Sequence, residues 1–294
     1  MDRAMSLSYI SARDGTPIAF KSWGAGTALI YTNGFTASDF YWRHLFAHFE
    51  GRAQQVVWDL KGHGLSGPAR TLDAVTVEDS VDDLRRVMDA AGVERAVLLA
   101  FSLGCQIILE AWRQLPQRIT ALVPILGTYG RPLDNLIDPR FGALAHAFMQ
   151  RLPGRLAGLG LKLGGYSTLV PGAFALSQLT GSIGRRATKR DMRPFFEHMR
   201  HIDGSTWRAM GLAAQGHSAE DVLESIEVPT LIVAGGRDTF TPVRLGEEMA
   251  RRIPGAEYHL IPDGYHTGLL EDGEEIAGRV ERFLGDHDLL SPPR

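Results

Sequence analysis

The stretch Val97-Leu98-Leu99-Ala100-Phe101-Ser102-Leu103-Gly104-Cys105 constrains this fold more than any other part of the chain. An apolar run stops at a serine, a glycine follows two residues later, and Gln106-Ile107-Ile108-Leu109-Glu110-Ala111-Trp112 continues with helical character. A strand that turns sharply into a helix lifts the intervening hydroxyl above the edge of a sheet. There a base can reach it, and the helix N-terminus offers N–H groups to a developing oxyanion. Such a turn brings strand and helix backbones close together, which suits the small residues Ala100, Gly104 and Cys105 around Ser102. A buried strand ending in an ordinary turn serine would leave the same pattern, so the reading depends on the rest of the chain.

The rest of the chain alternates in the same way. Leu7 to Ser11 and Ile18 to Ser22 flank Asp14-Gly15-Thr16-Pro17 and read as a hairpin. Ala28 to Thr32, Gln54 to Asp59, Arg95 to Phe101 and Ala121 to Leu126 read as short buried strands. Tyr41 to Phe49 and the segment capped by Thr76 and running through Ala91 read as helices, the latter with Val77, Val81, Leu84 and Met88 on one face. Strands resume at Pro229 to Ala234 and at Tyr258 to Ile261. This order predicts a mostly parallel sheet with helices on both faces. Between residues 129 and 223 no buried strand is evident, and apolar residues instead recur at helical spacing, as in Phe141, Leu144, Phe148 and Leu152. An insertion placed after the carboxyl end of a strand lies over the crevice where open α/β sheets bind ligands. The expected organisation is a core of residues 1–128 and 224–294 with a helical cap of residues 129–223.

Composition narrows the function classes. The formal net charge of −3 argues against general nucleic-acid affinity, and the single Cys105 excludes an internal disulfide. The first residues lack the apolar core of a secretory signal, and no apolar run is long enough to span a bilayer, so a cytoplasmic enzyme is expected. The charge is unevenly spread. Between Arg140 and Arg208 stand eleven Lys and Arg against Asp191, Glu197 and Asp203. This basic cap reads either as a solvated face or as a docking surface for something anionic: an acidic carrier protein, a coenzyme A ester or an anionic membrane.

With the Ser102 turn, four further segments in chain order resemble the α/β-hydrolase fold family. Asn33-Gly34-Phe35 stands where the family usually has His-Gly-x, and Asp59-Leu60-Lys61-Gly62-His63-Gly64-Leu65-Ser66 resembles its Asp-x-Arg-Gly-x-Gly-x-Ser loop, with Lys61 for Arg. Gly235-Gly236-Arg237-Asp238 follows an apolar strand where the family places its acid, and Gly264-Tyr265-His266 follows the last strand. The resemblance implies an eight-stranded, mostly parallel sheet of α/β-hydrolase type and a Ser102, Asp238, His266 triad. It also implies an oxyanion hole from the backbone N–H groups of Phe35 and Leu103. It implies structural rather than catalytic roles for Asp59, His63 and Ser66. Family members that carry the acid after the sixth strand would need one in Gly127-Thr128-Tyr129-Gly130, which offers no carboxylate before Asp134.

No His-Glu-x-x-His, paired-cysteine spacing or glycine-rich phosphate loop is present, so neither metal nor cofactor is expected. The expected activity is hydrolysis of a carboxylic ester, thioester or lactone with a hydrophobic acyl part through an acyl-Ser102 intermediate. The same triad could serve carbon–carbon bond hydrolysis or acyl transfer. A ligand-binding receptor on a hydrolase scaffold is the alternative of another class. The expected partner is a small hydrophobic ester or thioester.

Overall fold

In the computed structural model, residues 5–135 and 139–290 are described. The outermost parts of the expected core, 1–4 and 291–294, and residues 136–138 of the expected cap lie outside the described residues, as does the side chain of Phe141. Eight strands form one sheet: β1 (Ser6–Ser11), β2 (Pro17–Trp23), β3 (Ala28–Thr32), β4 (Gln54–Trp58), β5 (Ala96–Phe101), β6 (Ile119–Ile125), β7 (Leu231–Gly235) and β8 (Glu257–Ile261). Their spatial order is β1-β2-β4-β3-β5-β6-β7-β8. β2 pairs antiparallel with both β1 and β4, and every other pairing is parallel. This is the expected mostly parallel sheet.

Among the described residues the helices are α1 (Arg43–His48), α2 (Val77–Ala90), α3 (Leu103–Gln114), then α4 (Pro139–Arg151), α5 (Gly154–Gly164), α6 (Ala173–Leu179), α7 (Lys189–Met199) and α8 (Gly204–Gly216), and finally α9 (Val243–Arg252), α10 (Gly268–Glu271) and α11 (Gly273–Asp286). The central strands β3 and β5 are buried at every position, as continuous apolar runs covered on both faces must be. Neighbouring side chains alternate between two cores: Leu98 joins Val81, Leu84 and Ile108 on one side, while Leu99 joins Leu45, Val280 and Phe283 on the other. α2 starts where its cap residue dictates, since the Thr76 hydroxyl accepts the Asp79 N–H at 2.9 Å.

Helices α4 to α8 all lie between β6 and β7. The chain leaves the sheet and returns to it through one neck, where Ala219 N–H donates to Tyr129 O at 2.8 Å and Arg131 N–H to His217 O at 3.1 Å. On α4 the stripe that the spacing picks out is not the one that packs inward. Leu144 and Phe148 are exposed, and the contact with α8 is made by Met149, whose sulfur lies 2.8 Å from where a Gly211 Cβ would sit. Spacing alone gives two adjacent apolar stripes on this helix, and the partner surface selects one of them.

Two glycines test how far close approach governs the fold. A Cβ at Gly104, at the start of α3, would lie 2.6 Å from the Thr32 carbonyl oxygen, whereas at Gly160, inside α5, it would meet nothing within 4 Å. Gly104→Ala should cost about 2 kcal/mol through forced backbone movement. Gly160→Ala should instead gain up to about 1 kcal/mol from helix propensity. Urea denaturation of the two variants checks the opposite signs.

Candidate active site

Ser102 occupies the turn between β5 and α3 with φ 53° and ψ −117°, a backbone conformation that costs a non-glycine residue energy unless its surroundings impose it. The surroundings do. Ser102 N–H donates to Ile125 O on the adjacent strand at 3.1 Å, and Ser102 O accepts the Cys105 N–H at 3.0 Å. A Cβ on Gly34 would sit 2.9 Å from Ser102 Cβ, and one on Gly127 would sit 2.7 Å from Ser102 O and 2.2 Å from Cys105 Sγ. Side chains are excluded on both flanks, and the serine hydroxyl is left at the sheet's carboxyl edge.

His266 Nε2 lies 3.0 Å from Ser102 Oγ, and His266 Nδ1 lies 2.7 Å from Asp238 Oδ2. The Asp238 side chain is fully buried and held on every side. Its Oδ1 accepts the N–H groups of Phe240 at 2.8 Å and Thr241 at 2.9 Å, and its Oδ2 accepts the Thr241 hydroxyl at 2.7 Å. The loops after β7 and β8 are themselves joined, Gly236 N–H to Ile261 O and Arg237 N–H to Gly264 O, each at 2.9 Å. The imidazole ring rests between Phe101 and Phe240, with centroids 5.0 and 5.1 Å away. Asp134 lies elsewhere and accepts from the Gln215 amide at 2.7 Å.

The loop after β3 is held from beneath by the Asp59–Ser66 segment. Asp59 accepts from the Ser38 hydroxyl at 2.8 Å and the Leu65 N–H at 3.0 Å, and burial pushes its carboxyl up to about 6 against those bonds. His63 Nδ1 donates to Lys61 O at 2.9 Å while its Nε2 accepts the Thr36 N–H at 3.2 Å. Accepting the Thr36 N–H requires the neutral ring, and burial lowers its pKa to about 4 although the Lys61 carbonyl favours the charged form. Thr36 has φ 65° and is gripped from above as well, by Trp207 Nε1 on α8 at 3.0 Å from its hydroxyl. Trp207 also stacks on Phe35, with centroids 4.8 Å apart. Leu103 is the first residue of α3, so its N–H has no acceptor within the helix. The Trp207–Thr36 contact lies between the inserted helices and the loop after β3. No sequence signal links two residues so far apart in the chain.

Above Ser102 lies a cavity of about 360 Å³. Phe35, Phe101 and Phe240 from the core face Met149, Met192 and Phe195 from the inserted helices, and its walls are mostly apolar. One wall is fastened by Glu271, whose carboxylate accepts the Arg186 N–H at 2.8 Å and the Ala187 N–H at 3.0 Å and also takes the Thr267 hydroxyl. Away from this site, ligand-type atoms of Glu78, Glu110 and His217 lie within 4.8 Å of one another. Arg113 and Gln114 already engage that Glu110 carboxylate. Among the described residues no helix is long and apolar enough to cross a membrane.

Residues 27–273 match a family profile described as the alpha/beta hydrolase fold. The chain is 27% identical to RutD of Caulobacter sp. (strain K31), named for carbamate hydrolysis, over 87% of this chain and 90% of that protein. It is 21% identical to the pimeloyl-[acyl-carrier protein] methyl ester esterase of Vibrio campbellii, over 91% of this chain and 98% of the relative. Among solved structures, Est816, described as an N-acyl homoserine lactone degrading enzyme, superposes with a TM-score of 0.72 at 26% identity, covering 94% of this chain and all of its own.

The neutral His63 sets a pH dependence. Between pH 6.5 and about 4 the unfolded chain binds a proton that the folded ring does not, so this ring's contribution is lost as pH falls through that window. The shift corresponds to about 3 kcal/mol. Asp59 acts in the opposite sense, because its raised pKa makes the folded state bind the extra proton below about 6. Urea denaturation of wild type and His63→Gln at pH 7 and pH 5 separates the two. The variant should be less stable at pH 7 and should lose less stability on acidification.

Proposed function

The chain belongs to the alpha/beta hydrolase fold family, and from that premise we propose a serine hydrolase that cleaves a carboxylic ester, thioester or lactone through an acyl-Ser102 intermediate. The carrying observation is the Ser102–His266–Asp238 chain of hydrogen bonds, at 3.0 and 2.7 Å, opening on a largely apolar cavity. In this reading Ser102 Oγ attacks the substrate carbonyl carbon while His266 Nε2 takes its proton. The carbonyl oxygen becomes an oxyanion facing the N–H groups of Phe35 and Leu103. When the tetrahedral adduct collapses, His266 returns the proton to the departing alkoxide or thiolate. Water, deprotonated by the same ring, then releases the acid and restores the serine. Asp238 fixes the Nδ1–H tautomer and stabilises the imidazolium.

The apolar walls favour a hydrophobic acyl part, since ligand pockets of this kind take their affinity from apolar area and their orientation from a few polar groups. The methyl ester esterase relative acts by its name on an acyl–oxygen bond, which supports the same bond type here. The strained Ser102 backbone favours an enzyme over a receptor without turnover, since such a cost persists where the hydroxyl must be presented.

Treatment with a fluorophosphonate and intact-mass analysis should add one label to the wild type and none to Ser102→Ala, whose kcat on an activated ester should fall by at least about 10³-fold. A fully labelled, active Ser102→Ala protein would sink the mechanism. Asp238→Asn should bind substrate normally and lose on the order of 10⁴ in kcat. Asp134→Asn should behave as wild type, and the reverse outcome would move the acid to the other strand.

A further inference from the structure

Helix α5 reads Gly-Arg-Leu-Ala-Gly-Leu-Gly-Leu-Lys-Leu-Gly and is apolar on both sides. Its inner side is accounted for. Ala157 and Leu161 are buried, and a Cβ on Gly204 of α8 would lie 2.1 Å from Gly158 N, so glycines allow the two helices to touch backbone to backbone. The outer side is not covered. Leu156, Leu159 and Leu163, spaced to fall on one stripe, are 54%, 52% and 64% exposed. A helix hydrophobic all round is normally buried, and this one is not. The helices before and after it in the chain repeat the pattern: Leu144 and Phe148 on α4 and Leu176 and Leu179 on α6 are exposed pairs at helical spacing.

Charge identifies what would cover these stripes. From Arg140 to Arg190 there is no Asp or Glu. Arg155 and Lys162, seven residues apart, run beside the α5 leucine stripe, and both are exposed. Arg185, Lys189 and Arg190 are exposed too, and among the described residues none of these five forms an ion pair, whereas Arg186, Arg193 and Arg200 do. A second copy fits this surface poorly, because a symmetric pairing would set basic side chains against basic side chains with no carboxylate to offset them. A surface both negative and apolar just beneath its charge fits it well. Leucines at the acyl boundary with Lys and Arg at the headgroups is the arrangement of interfacial helices.

We propose that the outer face of α5 docks on an anionic lipid bilayer, with its leucines entering the acyl boundary and Arg155 and Lys162 meeting the headgroups. Helix α5 does not itself line the cavity over Ser102 but packs on α8, which does so through Gly211 and Ala214. The binding does not rest on the hydrolase reading, and Ser102→Ala should dock as wild type does.

The test is co-sedimentation of the full chain with vesicles of phosphatidylcholine alone and of phosphatidylcholine with about one third phosphatidylglycerol. Binding is expected only with the anionic lipid. It should weaken as salt rises from about 0.01 M to about 0.15 M, which shortens the Debye length from about 30 Å to about 8 Å. Leu159→Ser with Leu163→Ser, and separately Arg155→Glu with Lys162→Glu, should each reduce partitioning at least about tenfold. Hydrolysis of a water-soluble short-chain ester should stay unchanged in both, which also shows that they fold. No sedimentation of the wild type with anionic vesicles at low salt overturns the proposal. So does equal binding to neutral vesicles, or binding that both double variants retain. A dimer seen by light scattering and abolished by the leucine changes would assign the face to a second copy instead.

Discussion

The backbone of Ser102 is the constraint around which the rest of the site is built. With φ 53° and ψ −117° it would relax to another conformation if the chain were free there, and close approaches at three glycines hold it in place. Thr32 and Asn33 carbonyls lie where a Gly104 side chain would be, Phe101 and Ser102 where a Gly34 side chain would be, and Cys105 against Gly127. The central parallel strands supply this rigidity, since β3, β5 and β6 are buried and hydrogen-bonded on both sides. A strained turn carried by an edge strand would have room to unwind. Strain of about 1–3 kcal/mol is sustainable only because the surrounding sheet is much more stable than that.

The second layer of order lies under the loop that follows β3. Asp59 and His63 hold ionisable side chains in the interior, where each is pushed toward its neutral form, and both are spent on fixing backbone rather than on chemistry. His63 bonds the N–H of Thr36, and Trp207 bonds its hydroxyl from the other side. Phe35, next to Thr36, is thereby positioned from core and insertion together. The substitution of Asn33 for histidine fits the same scheme. Its amide donates to Trp58 O at 2.7 Å and accepts from Trp42 Nε1 at 2.8 Å, so the position serves as a strut between strand and helix.

Local chemistry explains how much of this could be read from the chain. Strands such as Ala28–Thr32 and Ala96–Phe101 are legible because burial on both faces demands an uninterrupted apolar run, and α2 because Thr76 and the Val77, Val81, Leu84, Met88 stripe fix its start and inner face. Ser102, Asp238 and His266 stand out because each follows a strand in a short motif that carries backbone meaning, and the structure sets them within hydrogen-bond distance. What the sequence withheld is long-range. Nothing local says that Trp207 reaches Thr36, that Glu271 clasps residues 186 and 187, or which of two stripes α4 turns inward. Those choices depend on the shape of a surface assembled from distant segments.

The inserted helices show why that ambiguity matters. Their sequence is apolar enough to satisfy two surfaces, and packing against the core uses only one. Met149, Met192 and Phe195 turn inward to the cavity while Leu144, Phe148 and the α5 leucines turn outward. Were the outer leucines only a by-product of helix propensity, alanine, lysine or glutamate would serve as well at an exposed position. The absence of any acid between Arg140 and Arg190 makes a solvated surface harder to argue, because solvated helices ordinarily mix both signs. The two surfaces are carried mostly by different helices: α4, α7 and α8 line the cavity, while α5 turns its leucines and basic residues outward and is tied to that lining through its backbone contact with α8.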